Sequence, residues 1–323
     1  MNTTATPKTG ILLAAFGSSS LRGEKALAAF AETVRLAFPG IPVRWAYTSG
    51  HMRSRLAAAG KKTDSVKKAL CRMGFERYTH VAVQSLHLIP GSEYESLLEE
   101  TEEAAKEGGP RRIAVGLPLL HDENDVAKAA EALLRHLPPE RESGETVVCM
   151  GHGTWHTGAA SYQALAERVG LRDPRIFIGT LEGEHRIERL LPDIVAVAHE
   201  TGAKTVWLLP LLSIIGKHAE KDMAGDHEQS WRSRIEAAGL RCRPVLTGTV
   251  EYEGFARIWA AHLADVLQRL GHPAYPVHPD RPADYPDERP EDHPDPSRHP
   301  VRLVPQGRSA RVDALPKKRQ DPS

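Results

Sequence analysis

The chain has 323 residues, 41% of them hydrophobic, which is enough for two domains of ordinary size, each with a core. Lysine plus arginine and aspartate plus glutamate both number 42, so the formal net charge is zero and gives no global attraction to nucleic acid or anionic lipid. The longest apolar runs, residues 11–16 and 208–215, fall far short of the roughly 20 residues that cross a bilayer. Three scattered cysteines, Cys71, Cys149 and Cys242, lack C-x-x-C spacing and suit buried thiols rather than disulfides or a zinc cluster. With a polar first ten residues and no basic start, the expected location is the cytoplasm.

In chain order, the first β-rich run covers residues 10–16 and ends in Phe16-Gly17-Ser18-Ser19; a helical period follows over 22–38. A second strand at 42–47 leads through Thr48-Ser49-Gly50-His51-Met52-Arg53 into a helix at 52–73. A third at 79–85 runs into Ser85-Leu86-His87-Leu88-Ile89-Pro90-Gly91-Ser92-Glu93 and a helix at 92–107, and a fourth at 111–116 precedes a helix at 123–136. The second half repeats the pattern, with strands at 145–150, 175–179, 204–211 and 241–246 and helices at 158–169, 184–200, 227–238 and 252–270. Strands alternating with helices build parallel sheets covered on both faces, so the expected fold is α/β, with two similar doubly wound domains at 1–143 and 144–271.

The halves align in detail. Gly17 matches Gly153, Thr48 matches Thr180 and Gly91 matches Gly216, as two copies with small loop differences predict. The last helix carries Phe255, Ile258, Trp259, Leu263, Val266, Leu267 and Leu270 at spacings of three and four, an apolar face that must be buried. Residues 272–323 hold 12 of the 24 prolines and nine charges of each sign, so this tail is expected to be disordered, and its His272, His278, His293 and His299 to be solvated.

Open parallel sheets bind ligands at the carboxyl ends of their strands. Three polar clusters lie there in the second half: Gly151-His152-Gly153-Thr154-Trp155-His156, Gly179-Thr180-Leu181-Glu182-Gly183, and Gly216-Lys217-His218 with Asp222, Asp226 and His227 downstream. None is a phosphate loop, since neither G-x-x-x-x-G-K-[ST] nor G-x-G-x-x-G is matched. Singly, each residue has an ordinary structural use. Jointly, His152, Glu182 and His218 are aimed from three strand ends of one sheet into one crevice, a mixed imidazole and carboxylate set suited to Co, Ni, Fe or Zn rather than Mg or Ca. The first half offers the facing wall, with Phe16, Gly17, Ser18, Arg53, Arg55 and His87 at its strand ends. The repeat puts Glu93 opposite His218, where a carboxylate could handle protons.

The segments F-G-S, Y-T-S-G-H-M-R, S-L-H-L-I-P-G-S-E-Y-E, M-G-H-G-T, G-T-L-E-G and G-K-H-A-E-K-D-M, in that order between about residues 10 and 270, resemble the anaerobic sirohydrochlorin cobaltochelatases of cobalamin biosynthesis, class II chelatases like ferrochelatase. The resemblance implies two chelatase-like domains with a tetrapyrrole cleft between them, and metal insertion without ATP or any organic cofactor. It implies sirohydrochlorin and a divalent ion as partners, Co²⁺ first and Ni²⁺ or Fe²⁺ as alternatives. By the same resemblance His152 is metal ligand and proton acceptor, and Glu182 and His218 are metal ligands. From the repeat and the strand ends of the first half, Glu93 is the expected second catalytic group, and Phe16, Gly17, Ser18, Arg53 and His87 are expected to meet the substrate. A non-catalytic metal or haem carrier and a metal-dependent hydrolase remain open at this point, as does a homo-oligomer. The Pro-rich tail has no counterpart in the resemblance.

Overall fold

The computed structural model describes residues 7–155, 158–272 and 303–305. Its first sheet is built from β1 (Thr9–Ala15), β2 (Val43–Tyr47), β3 (His80–Ser85) and β4 (Arg112–Gly116), all parallel, in the order β2-β1-β3-β4. The second uses β5 (Thr146–Gly153), β6 (Ile176–Glu182), β7 (Thr205–Leu211) and β8 (Arg241–Pro244), parallel in the order β6-β5-β7-β8. The two orders are the same once four is added to each strand number. Gly17 and Gly153, at the ends of the equivalent strands β1 and β5, share the left-handed region with φ of +99° and +83°. The repeat is thus carried by topology and by local backbone.

The helices are α1 (Leu21–Ala37), α2 (Gly50–Ala58), α3 (Val66–Phe75), α4 (Ser92–Lys106), α5 (Glu123–Arg135), α6 (Ala159–Gly170), α7 (Ile187–Thr201), α8 (Trp231–Ala237) and α9 (Glu253–Arg269). Buried residues of α3 and α4 cover the outer face of the first sheet, through Leu70, Met73 and Leu97 against Leu12, Val81 and Val83. Those of α7 and α8 cover the outer face of the second, through Ile194, Trp231 and Ile235 against Val148, Val206 and Leu208. Between the sheets, α1, α5, α6 and α9 share one continuous core with inner-face residues of both, among them Ile11, Leu13, Val147 and Cys149. The apolar stripe expected on the last helix is buried there. Its Trp259 meets Phe30 edge to face with ring centroids 6.0 Å apart, and α9 packs back on β3 and β4 of the first sheet. The two halves are therefore bound together by the helix that ends the chain's second repeat.

The single helix expected over 52–73 is two. Gly60 adopts φ +76° just after α2, and the Ser65 hydroxyl accepts from the Lys68 amide to start α3, so a left-handed turn and a fresh cap interrupt an unbroken helical period. The helix expected over 227–238 shortens to α8, capped by Ser230, whose hydroxyl also donates to the Gly225 carbonyl at 2.6 Å. Within the stretch expected to be a disordered tail, Leu303–Pro305 forms β9, which pairs antiparallel with β4. The other residues of that stretch beyond His272, with His278, His293 and His299, lie outside the described residues. Among the described residues no helix is long and apolar enough to cross a membrane.

Candidate active site

The Gly-His-Gly segment lies inside β5, which runs three residues past its expected end. Gly151 registers with Thr180 and Gly153 with Glu182 on β6. Each glycine has a steric reason. A Cβ on Gly151 would stand 2.4 Å from the ring of Tyr162 on α6, and one on Gly153 would stand 2.1 Å from the Glu182 carbonyl oxygen. Tyr162 is buried, and burial pushes its phenol up to about 12. The histidine strand end is thus clamped on one side by β6 and on the other by α6. Thr180 donates to the Glu182 carbonyl at 2.7 Å and steadies the neighbouring strand end.

His218 was expected in a polar loop. It opens a π-helical turn, His218–Met223, anchored by the buried Ala219 and Met223 and closed by the Ala224 amide donating to the Ala219 carbonyl at 3.1 Å. This winding brings His218 Nδ1 to 2.6 Å from Asp222 Oδ2. The His152 and His218 rings meet edge to face, with centroids 5.0 Å apart and planes at 81°. The Gly153 carbonyl, 3.2 Å from His152 Nδ1, can only accept, as can an ionised Asp222, so in both bonds Nδ1 carries the hydrogen, and in the neutral ring Nε2 keeps its lone pair. Two adjacent imidazoles with unspent Nε2 atoms can hold a divalent ion or take a proton.

Glu182 ends β6 beside Gly153 and is exposed. Among the described residues no three His, Cys, Asp or Glu side chains are gathered closely enough to hold a metal ion. The structure brings His152 and His218 together and leaves Glu182 on the adjacent strand end, apart from them.

On the first sheet, Gly17 lies under the Tyr47 ring, to which a Cβ would approach within 2.8 Å. Ser18 is buried and its hydroxyl lies 3.1 Å from that of Ser20, which donates to the Ile215 carbonyl at 3.4 Å and ties the start of α1 to the segment before His218. Phe16 is 42% exposed at the same strand end. Arg53 donates to the Tyr47 and Thr48 carbonyls and so caps the end of β2. His87 is buried, with Nδ1 2.9 Å from the Ser85 hydroxyl and Nε2 3.1 Å from that of Thr48; burial lowers its pKa to about 4. It is a neutral ring tying two strand ends together. Glu93, in the first turn of α4, accepts from the Ser92 hydroxyl at 3.1 Å, and its charge acts on both His87 and Tyr162.

Tyr162 was not read from the sequence as part of the site, and Asp222 was expected either to support His218 or to be solvated. The four-residue step from His218 to Asp222 was the available signal for their pairing. For Tyr162 it was a lone hydroxyl on the apolar face of α6.

Residues 9–268 match the family model for cobalt chelatase (CbiK). Sirohydrochlorin cobaltochelatase CbiKC of Nitratidesulfovibrio vulgaris is 54% identical over 263 residues, covering 81% of this chain and 92% of the relative. The sirohydrochlorin cobaltochelatase of Salmonella typhimurium is 31% identical and covers 80% of this chain and 97% of its own. In fold, the chain is similar to SirB of Bacillus subtilis solved with Fe³⁺, at a TM-score of 0.57 and 15% identity over 83% of this chain and 99% of SirB. A second SirB structure, a sirohydrochlorin chelatase in complex with cobalt, gives 0.54 and 16% over the same shares. With a family match spanning nearly all of the two-sheet body and relatives alike over most of their length, this chain belongs to the cobalt chelatase (CbiK) family.

Proposed function

We propose that this protein inserts Co²⁺ into sirohydrochlorin without ATP, a lyase-class reaction forming metal–nitrogen bonds in cobalamin biosynthesis. The observation that carries the reading is the His152 and His218 pair, edge to face at the strand ends of the second sheet with both Nε2 atoms unspent. Insertion exchanges two pyrrole N–H protons for one divalent ion, so the site must hold a metal against one face of the macrocycle and accept protons. No covalent intermediate and no organic cofactor enters the balance.

In this scheme His218, fixed by Asp222, and His152, fixed by the Gly153 carbonyl, present the ion, and Glu182 swings from the β6 end to complete its ligand set. His152 Nε2 takes a pyrrole proton as the ion leaves it. Glu93 receives protons from across the cleft. Phe16 meets the macrocycle, and the Gly17 and Ser18 amides, with the unspent donors of Arg53, bind its carboxylates. His87 supports that wall through Thr48. The donor set suits Ni²⁺ and Fe²⁺ as well as Co²⁺, so the choice among metals is set by availability as much as by affinity. A reducing cytoplasm is part of the proposal and agrees with three free cysteines.

The test is to mix the purified chain with sirohydrochlorin and Co²⁺ without ATP and follow the absorbance change. His152→Ala, Glu182→Ala and His218→Ala should each slow insertion at least about tenfold. Stoichiometric retention of metal or tetrapyrrole by a parent protein that never turns over would instead make it a carrier.

A further inference from the structure

Five tryptophans occur in the chain. Trp207, Trp231 and Trp259 are buried and Trp45 is half-buried against the core, whereas Trp155 is 73% exposed. An indole left in water forgoes a large burial gain, so its position calls for an explanation. It lies three residues after His152, on the segment leading from β5 to α6. A Cβ on Gly183 would stand 2.9 Å from the Thr154 carbonyl, and one on Gly158 would stand 2.9 Å from the Pro90 carbonyl of the first half. Thr154, next to Trp155, thus abuts Gly183 just past β6, and Gly158, the N-cap of α6, abuts the Pro90-Gly91 corner of the first half.

The large exposed apolar side chains of the described residues fall into two sets. Leu36, Phe75 and Leu171 stand at the C-terminal ends of α1, α3 and α6, at the opposite end of the sheets from the candidate site. Phe16, Leu21 and Trp155 follow the carboxyl ends of β1 and β5, the two equivalent central strands. Apolar exposure at the ligand end is thus supplied by both halves, with an aromatic ring from each.

We propose that Trp155 contacts the tetrapyrrole directly, stacking on the conjugated macrocycle and positioning it over the His152 and His218 pair. This rests on the chelatase reading above. A flat conjugated ring with an anionic rim needs an apolar, π-rich surface for its body as well as donors for its carboxylates, and the indole is the largest such surface at this end of the fold. The contact forms in the bound substrate and persists in the transition state, so it acts chiefly on binding.

The experiment uses full-length protein labelled with 5-fluorotryptophan and metal-free sirohydrochlorin as the probe, read by ¹⁹F NMR. Trp155→Phe assigns the Trp155 resonance by its loss. Addition of the tetrapyrrole should shift or broaden that resonance well beyond those of the other four tryptophans, through the ring current of the macrocycle. In kinetics with Co²⁺, Trp155→Ala should raise KM roughly threefold to tenfold, the size of one aromatic pair, with a smaller change in kcat. Trp155→Phe should recover most of that loss. If absorbance titration shows binding while the Trp155 resonance stays in place, or if Trp155→Ala leaves KM unaltered, the assignment of Trp155 is wrong and the chelatase reading stands. If no tetrapyrrole binds, both are overturned.

Discussion

His218 Nδ1 and Asp222 Oδ2 lie 2.6 Å apart within a single π-helical turn. Ala219 and Met223 of the same turn are buried. The carboxylate fixes which nitrogen carries the hydrogen and holds the ring edge-on to His152. Asp222→Ala should therefore weaken Co²⁺ binding by roughly tenfold to a hundredfold and slow insertion comparably. Calorimetric titration with Co²⁺ and the insertion rate measure the two effects. A variant with parental Co²⁺ affinity would mean that His218 is oriented by the backbone alone.

Gly153 couples the fold to the site. Its φ of +83° and the 2.1 Å approach of the Glu182 carbonyl to a would-be Cβ leave no room for a side chain. Gly153→Ala should cost about 1–2 kcal/mol for the backbone conformation and more for the contact, which pushes the His152 and Glu182 strand ends apart. Gly170, the last residue of α6, has nothing within 4 Å of a would-be Cβ and no positive φ. Gly170→Ala should leave stability equal or slightly raised. Urea denaturation of the two variants makes the comparison, and equal losses in both would show that the clamp is not the cause.

The periodicity of the sequence carried most of the architecture, because eight β-rich runs and their helices each bury a face and so leave a pattern. The break after Gly60 was harder to see, since residues on both sides of it keep a helical period and only the backbone at Gly60 and the cap at Ser65 end it. The π-turn was invisible for a related reason: H-A-E-K-D-M reads as polar, and only its two buried residues betray the winding. At the site, the strand-end rule located His152 and His218. Glu182 ends β6 beside Gly153 with an exposed side chain. His87 and Arg53 sit where the pattern put them, yet their polar atoms hold Thr48, Ser85 and the end of β2. Such local hydrogen bonds depend on side-chain direction, which the sequence pattern does not encode.

His87 gives the fold an acid limit. Burial lowers its pKa to about 4 from the ordinary 6.5, so within that window the unfolded chain takes up a proton that the folded one refuses. The stability tied to neutral His87 is complete above about pH 6.5 and is lost as pH falls toward 4. The whole shift corresponds to about 3 kcal/mol. His87→Gln, which keeps polar atoms near Ser85 and Thr48 without titrating, should flatten the dependence of unfolding free energy on pH by about one proton in this window. Parallel slopes for parent and variant would locate the acid sensitivity elsewhere.

The final helix is tied to the first half by polar contacts at His262. His262 Nε2 lies 3.1 Å from Asp125 Oδ1 in the first turn of α5, and His262 Nδ1 lies 3.1 Å from the Leu117 carbonyl beyond β4. Asp125 Oδ2 is buried without a hydrogen-bond partner, so His262 is the side chain that compensates this carboxylate. Removing the imidazole should leave an uncompensated buried acid, at a cost of about 3–5 kcal/mol in His262→Ala. Removing both groups takes away the pair together with its desolvation, so the double variant with Asp125→Ala should be less destabilised than the sum of the single changes. The coupling is expected at about 1–3 kcal/mol. A double-mutant cycle by urea denaturation measures it. Strict additivity would mean that the apolar stripe from Phe255 to Leu270 holds α9 on the first sheet by itself, with the polar contact adding nothing.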